Sequence, residues 1–383
     1  MSCPVSKICG GCEYIDISYE EQLKRKQKLC NDLLSSICKV NPIIGAEDPY
    51  HYRNKVHGAF SSSKSGLKCG RYQEKTHKII ECFDCDIEDI GAQKIIEDVK
   101  LIASKSKIRI YDEVNRTGTL RRVLVRCSKS SGKYMLVLVS AVAEFPGKRN
   151  FIKAITSKHK EIVTVIFNVN SRNDSMILGD KSYVEYGPGF LYDELCGLKF
   201  KISDKSFYQI NHDQTELLYG KAIEYADIKE GQKVLDCYCG IGTIGMSVAK
   251  AVPSSLVTGV ELNKAACSDA TTNKKLNDLR NVRIEQGDAT EYMVNSSLRG
   301  NHFDVIILDP PRSGTTPEFI EACRKANPNK IVYVSCDPNT LARDLKIFDK
   351  NGYKAIEATP VDMFPFTKHC ESVCLLSKVN TRD

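Results

Sequence analysis

Three side chains fall where a parallel α/β sheet gathers its chemistry. Asp309 ends the apolar run of IILDPP, Cys336 ends IVYVSC, and Glu371 begins ESVCLL. A thiol between carboxylates suits an electron-poor ring double bond that needs temporary covalent activation. Upstream, VLDCYCGIGTIG at 234–245 sets Asp236 at the end of an apolar run, with Gly240, Gly242 and Gly245 close behind. Strand, tight glycine turn and helix start let backbone approach a nucleotide-like ligand. Glu261 closes the next strand-like run, SLVTGVE, where an acid can take ribose hydroxyls. An adenosine-containing cofactor fits; the turn alone suits NAD, FAD or S-adenosylmethionine equally.

The elements that must hold these groups alternate regularly. Strands are expected at 233–236, 256–260, 282–285, 303–308 and 330–335, with helices between them, which predicts a parallel doubly wound sheet. Two more strand-like runs, 353–359 and 372–377, are joined by VDMFPFTKHCE, too short for a crossover helix. They should pair as an antiparallel hairpin and make the seven-stranded sheet mixed. Glu371 then starts a reversed strand at the carboxyl edge, where Asp236, Asp309 and Cys336 end theirs.

Ahead of that domain, 213–383, the sequence predicts two further parts. Residues 1–90 carry a cysteine-rich start and a helix over 18–38, with Leu23, Leu29, Leu33, Leu34 and Ile37 at helical spacing. Residues 91–212 continue from a second helix at about 86–103 into strand-like segments at 107–115, 120–127, 134–142 and 162–168, with a helix near 148–159. This central part reads as an antiparallel, β-rich domain.

Cys3, Cys9 and Cys12 form C-x5-C-x2-C, with Gly10 and Gly11 letting backbone wrap closely. Seventeen cysteines in a chain of intracellular character argue against a disulfide framework. Three such closely spaced thiols read as metal ligands that need partners from farther along. Cys9 and Cys12 with Cys82 and Cys85 would make a structural zinc site. Cys3, Cys9, Cys12 and one later cysteine would hold a 4Fe–4S cluster. Spacing leaves both open.

Composition sets the remaining bounds. The chain has 383 residues, 42% hydrophobic and 27% charged, and no apolar run of membrane-spanning length. A cytoplasmic, monomeric protein is expected. The net charge of +7 is uneven: residues 49–78 hold seven Lys or Arg against one acid, and 116–133 hold six and none. Such stretches suit a phosphate backbone and a merely solvated face equally well; on the first reading Arg53, Lys55, Arg71, Arg121, Arg122 and Arg126 are the candidate contacts.

Several motifs in order resemble the RNA uracil-C5-methyltransferase family over nearly the whole chain. They are the opening C-x5-C-x2-C, YRNK at 52–55, SFYQIN at 206–211, DCYCGIG at 236–242, LDPPRSG at 308–314, VSCDPNTLARD at 334–344 and DMFPFTKHCES at 362–372. The resemblance implies an S-adenosylmethionine-dependent Rossmann-like methyltransferase domain, preceded by an iron–sulfur segment and an RNA-binding central domain. It implies Cys336 as nucleophile at uracil C6, Glu371 as the base at C5, and Asp309 as a hydrogen-bonding pocket residue. Cofactor contacts would come from Phe207, Gln209, Asp236, Gly240, Gly242, Glu261, Asp288 and Asp309, with Asn273 and Asn277 as lesser supports. The cluster ligands would be Cys3, Cys9, Cys12 and Cys85, since CDIEDIGAQKII matches the segment after the family's fourth ligand, leaving Cys82 a plain local cysteine. The substrate would be a structured RNA, 23S ribosomal RNA first and transfer RNA second. A non-catalytic RNA-binding assembly factor is the alternative from another class. Two departures stand out: the small barrel that often opens the family is not seen, and Phe366 stands where a histidine is common.

Overall fold

The computed structural model describes residues 3–63, 66–74, 76, 78–174 and 176–379. Lys64 and Lys75, counted in the first basic stretch, lie outside the described residues. The chain divides into two compact units rather than the three successive parts expected. One comprises Met1–Asp16, Asp48–Glu194 and Lys201–Lys205; the other comprises Ile17–Glu47, Leu195–Phe200 and Ser206–Asp383. The difference arises because the amino-terminal helix packs into the second unit.

That helix is Tyr19–Leu34, capped by Ser18, whose side chain accepts from the Glu21 amide, with Glu20 and Glu21 at its positive end. Its inner face, Gln22, Lys26, Cys30 and Leu34, is buried. Cys30 and Leu34 join a core cluster with Tyr333, Phe348, Tyr353 and Leu376. Each such apolar side chain stabilises the unit by about 1.5–3 kcal/mol on full burial. Just beyond, Lys39–Val40 pairs in parallel with Tyr353–Val361. It makes the sheet eight-stranded, one more than expected, because a two-residue edge strand leaves no periodicity to read.

Across this sheet the order is Lys39–Val40, Tyr353–Val361, Glu371–Lys378, Lys330–Ser335, Val305–Leu308, Lys233–Cys237, Leu256–Glu261, Val282–Gln286. Glu371–Lys378 runs antiparallel to both neighbours and the other pairings are parallel, so the sheet is mixed as expected. Cys237 pairs with both Val260 and Leu308, which brings the ends of the parallel strands to one edge.

The first unit carries a seven-stranded sheet in the order Ile79–Ile80, Gly66–Tyr72, Lys55–Ser63, Leu120–Cys127, Tyr134–Ser140, Ile162–Val169, Lys181–Tyr186. It is not wholly antiparallel: Tyr134–Ser140 and Ile162–Val169 run parallel, and the helix Lys148–Lys158 is the crossover. The stretch 107–115 contributes only the isolated bridges at Ile110 and Asp112. One sheet face packs under the helix Ile90–Lys105 in an apolar cluster that includes Ile95, Val99, Leu136 and Phe167.

Candidate active site and cysteine cavity

The glycine turn is built around Asp236. Its Oδ2 accepts from the Gly245 amide at 2.8 Å, which ties the strand end to the helix Thr243–Ala251. A Cβ at Gly245 would meet that same Oδ2 at 2.7 Å, so only glycine fits. Gly240 and Gly242 both take positive φ, where side chains are strained. The Gly240 amide donates to Glu261 Oε2 at 3.0 Å, and Glu261 Oε1 accepts from the Asn263 amide at 2.7 Å. Asp236 Oδ1 is buried and has no hydrogen-bond partner among the described residues. An orphaned acceptor at a glycine turn fits a polar ligand that completes it.

The other expected cofactor residues divide by role. Asp288 caps the helix Ala289–Leu298 through Oδ1, accepting from the amides of Thr290 and Glu291. Gln209 is buried, whereas Phe207 is 68% exposed. Ser206, at the head of that strip, donates to Asp269 Oδ2 at 2.7 Å. Asn273 donates to the Ile241 carbonyl at 3.2 Å, supporting the turn from behind. Asn277 exchanges hydrogen bonds with the Lys199 backbone and serves structure.

At the sheet edge Ser335 pairs with Ser372, and one further step of that antiparallel register sets Cys336 opposite Glu371. Glu371 is 3% exposed, and its Oε2 has no partner among the described residues. Burial, then the Asp309 carboxylate, raises Glu371 above the ordinary carboxylate range, while Arg312 opposes the shift. Asp309 is half-buried as a whole residue, and burial raises its carboxyl too, to about 7. Burial pushes Asp236 up to about 7; the Gly245 amide opposes, and Asp309 and Glu261 add repulsion. The Cys336 thiol is pushed up to about 11 by burial, then by Glu371 and Asp309, with Arg312 pulling the other way. Cys336, Glu371, Asp309 and Arg312 therefore share one electrostatic field, and a raised carboxylate suits general-base work near neutral pH.

Sequence reasoning did not single out Arg312 or Tyr219 for this site. Arg312 is the cation of the Asp-Pro-Pro-Arg loop, and that loop position was its only signal. Tyr219 is buried and shares a 2.8 Å hydrogen bond with Thr243. Burial and the neighbouring Asp309 raise its phenol, and its helical spacing alone reads as core.

In the first unit, Cys3, Cys9, Cys12, Cys82 and Cys85 line one small cavity of about 20 Å³. Arg71 reaches Cys9 Sγ at 3.8 Å and Cys85 Sγ at 3.4 Å, and it pairs with Glu88. No group of three or more His, Cys, Asp or Glu side chains stands in metal-holding geometry among the described residues. Five thiols line one cavity, and thiols are the soft donors that iron–sulfur and zinc sites use. Cys82 belongs to this cavity and is not merely local.

Three of the expected phosphate contacts are engaged internally. Arg71 serves the cysteine cavity. Arg121 is buried between Glu113 and the carbonyls of Asn170 and Arg172. Arg126 is buried and donates to the Asp204 carbonyl. Lys55 pairs across the ladder with Arg126, and Arg122 with Ala59, two residues beyond His57, so these side chains share a sheet face. Burial and then neighbouring cations push Lys55 down to about 8 and His57 down to about 4. That face gathers Lys55, Arg122 and Arg126 around His57.

Comparison with known proteins places this geometry. Residues 193–379 match the family model described as tRNA (Uracil-5-)-methyltransferase. An uncharacterized RNA methyltransferase of Halalkalibacterium halodurans is 40% identical, over 99% of this chain and 83% of that protein. One of Clostridium tetani is 38% identical over 98% and 82%. The crystal structure of a Pyrococcus abyssi tRNA (uracil-54, C5)-methyltransferase, in complex with S-adenosyl-L-homocysteine, superposes with a TM-score of 0.80. It shares 28% identity over 97% of this chain and 86% of that one.

Proposed function

Because this chain belongs to the RNA (uracil-5-)-methyltransferase family, we propose that it methylates C5 of one uridine in 23S ribosomal RNA. S-adenosylmethionine, when bound, supplies an electrophilic methyl group at the glycine turn. Asp236 Oδ1, the Glu261 carboxylate and Asp288 are the polar groups that would hold it, with Gln209 covering from the preceding strip. The orphaned Asp236 oxygen supports that fit.

The observation that carries the chemistry is Cys336 opposite Glu371 beside Asp309. Uracil C5 is a poor nucleophile until a sulfur adds at C6. Cys336 gives its thiol proton to solvent water, Arg312 favouring the thiolate, and the thiolate then forms the S–C6 bond. The C5=C6 electrons shift toward the O4 carbonyl, so C5 can take the methyl group. Glu371 then accepts the C5 proton, C5=C6 re-forms, and the C6–S bond breaks to release the thiolate. Asp309 hydrogen-bonds the uracil edge. A uridine inside folded RNA must be extruded to reach these groups. Lys55 and Arg122 would take phosphates on the cationic sheet face, with Arg53 just ahead of its strand as a further contact.

The cysteine cavity would hold a 4Fe–4S cluster through Cys3, Cys9, Cys12 and Cys85, ordering the amino-terminal segment. Arg71 would steady the two sulfurs it reaches. Cys82 in the same cavity supports zinc on Cys9, Cys12, Cys82 and Cys85 as the second reading.

One observation favours transfer RNA as the alternative substrate: the likeness to the Pyrococcus abyssi enzyme. The test offers purified protein and radiolabelled methyl donor to unmodified ribosomal and transfer RNA separately, with nucleoside analysis of each. Labelled 5-methyluridine in ribosomal RNA is the expected product. Label in transfer RNA alone replaces the substrate. No label in either, with donor binding intact, overturns the catalytic reading in favour of RNA binding.

A further inference from the structure

The loop that delivers Glu371 is clamped by the amino-terminal helix. Lys26 donates to Asp362 Oδ1 at 2.5 Å and to the Phe364 carbonyl at 2.9 Å. Both partners of the ion pair are fully buried. Tyr19 donates to Asp362 Oδ2 at 2.9 Å, and Gln22 Oε1 accepts from the Phe366 amide at 2.8 Å. From the helix His212–Ala226 and its cap, Gln214 and Asn211 donate to the carbonyls of Asp362 and Met363. Phe366 is 4% exposed and sits at φ +68°, a conformation strained for a side-chain-bearing residue. Such backbone persists only where its surroundings over-determine it, and here they do.

We propose that Lys26, with Gln22, is a positioning residue for Glu371, setting the proton-abstraction step without touching the uracil. This rests on Glu371 being the base at C5. The logic is local. Val361 pairs with Glu371, and residues 362–370 form the whole connection between the two strands. Cys336 directly follows a different strand, Lys330–Ser335, and its approach to C6 does not pass through that connection. A buried ammonium is the unusual element. A helix needs only apolar residues to pack on this core, yet Lys26 spends its charge on a carboxylate and a carbonyl of the loop. Loosening the clamp should therefore slow elimination selectively. Addition and methyl transfer would proceed, and the enzyme would wait as the methylated C6 thioether adduct with RNA.

The test follows covalent protein–RNA adduct and free 5-methyluridine during single turnover in Lys26→Met, Gln22→Ala, Glu371→Gln and the unaltered protein. Adduct should form in Lys26→Met within about twofold of the unaltered rate. Its conversion to free product should slow at least about tenfold. Gln22→Ala should show the same split more weakly, and Lys26→Arg should restore part of the conversion rate. Should Lys26→Met not fold, the Gln22→Ala split decides. Equal slowing of adduct formation and breakdown, or unchanged conversion, overturns the positioning role while a Glu371→Gln adduct keeps the functional reading intact. Absence of any adduct in Glu371→Gln overturns both.

Discussion

Cys336 stands opposite Glu371 because Ser335 pairs with Ser372 one step earlier in an antiparallel ladder. The proposed nucleophile and the proposed base thus sit at the ends of two strands of opposite direction that meet at one sheet edge. Cys336→Ala should abolish methyl transfer while RNA binding, followed by gel shift, persists. Glu371→Gln should lower turnover by about 10²–10⁴ and accumulate a denaturation-resistant protein–RNA adduct. An adduct retained in Cys336→Ala would move the nucleophile elsewhere.

The elimination step should depend on pH in the direction set by Glu371. A base must be deprotonated, and burial with Asp309 raises this one above the ordinary carboxylate range. Single-turnover product release should therefore rise between pH 6 and pH 8 rather than being flat, as an unperturbed glutamate would give. A flat profile would show that another group takes the proton.

Stability of the ligand-free protein should run the opposite way. Asp236 is raised from 3.8 to about 7, so the folded state binds more protons than the unfolded state across that window. Its contribution is complete below 3.8 and is lost as pH rises to about 7. Between pH 5 and pH 8 the unaltered protein should lose about 2–3 kcal/mol relative to Asp236→Asn, by denaturant unfolding. Parallel curves for the two proteins would refute the burial argument.

Gly245→Ala should weaken donor binding. The added Cβ meets Asp236 Oδ2 at 2.7 Å and forces apart the turn's 2.8 Å hydrogen bond. A destabilisation of about 1–3 kcal/mol is expected, with a rise in the Kd for S-adenosylmethionine measured by calorimetry.

The cysteine cavity can be divided by ligand. With four iron–sulfur ligands as proposed, Cys85→Ser should remove the visible absorption of anaerobically purified protein and Cys82→Ser should leave it. Stoichiometric zinc in the unaltered protein, lost in both variants, would select the zinc set instead.

Most of the methyltransferase sheet was legible in the chain itself. Its strands and helices alternate with strong periodicity, and Asp236, Asp309 and Cys336 each close an apolar run, so edge placement follows from topology alone. The paired Cys-x2-Cys spacings likewise announced a thiol cluster. Local pattern carries such information because strand ends, glycine turns and close ligand spacings are short-range features. The amino-terminal helix was equally legible as a helix, but not its allegiance. Lys26 reads as the solvated face of an amphipathic segment, and only the fold brings Asp362 to it from 336 residues away. Arg71, Arg121 and Arg126 read as phosphate contacts, and only the fold turns them inward to sulfur, carboxylate and carbonyl partners. A charge declares its type in sequence. Whether it faces water, RNA or a buried counter-charge is decided by segments distant in the chain, which burial makes neighbours.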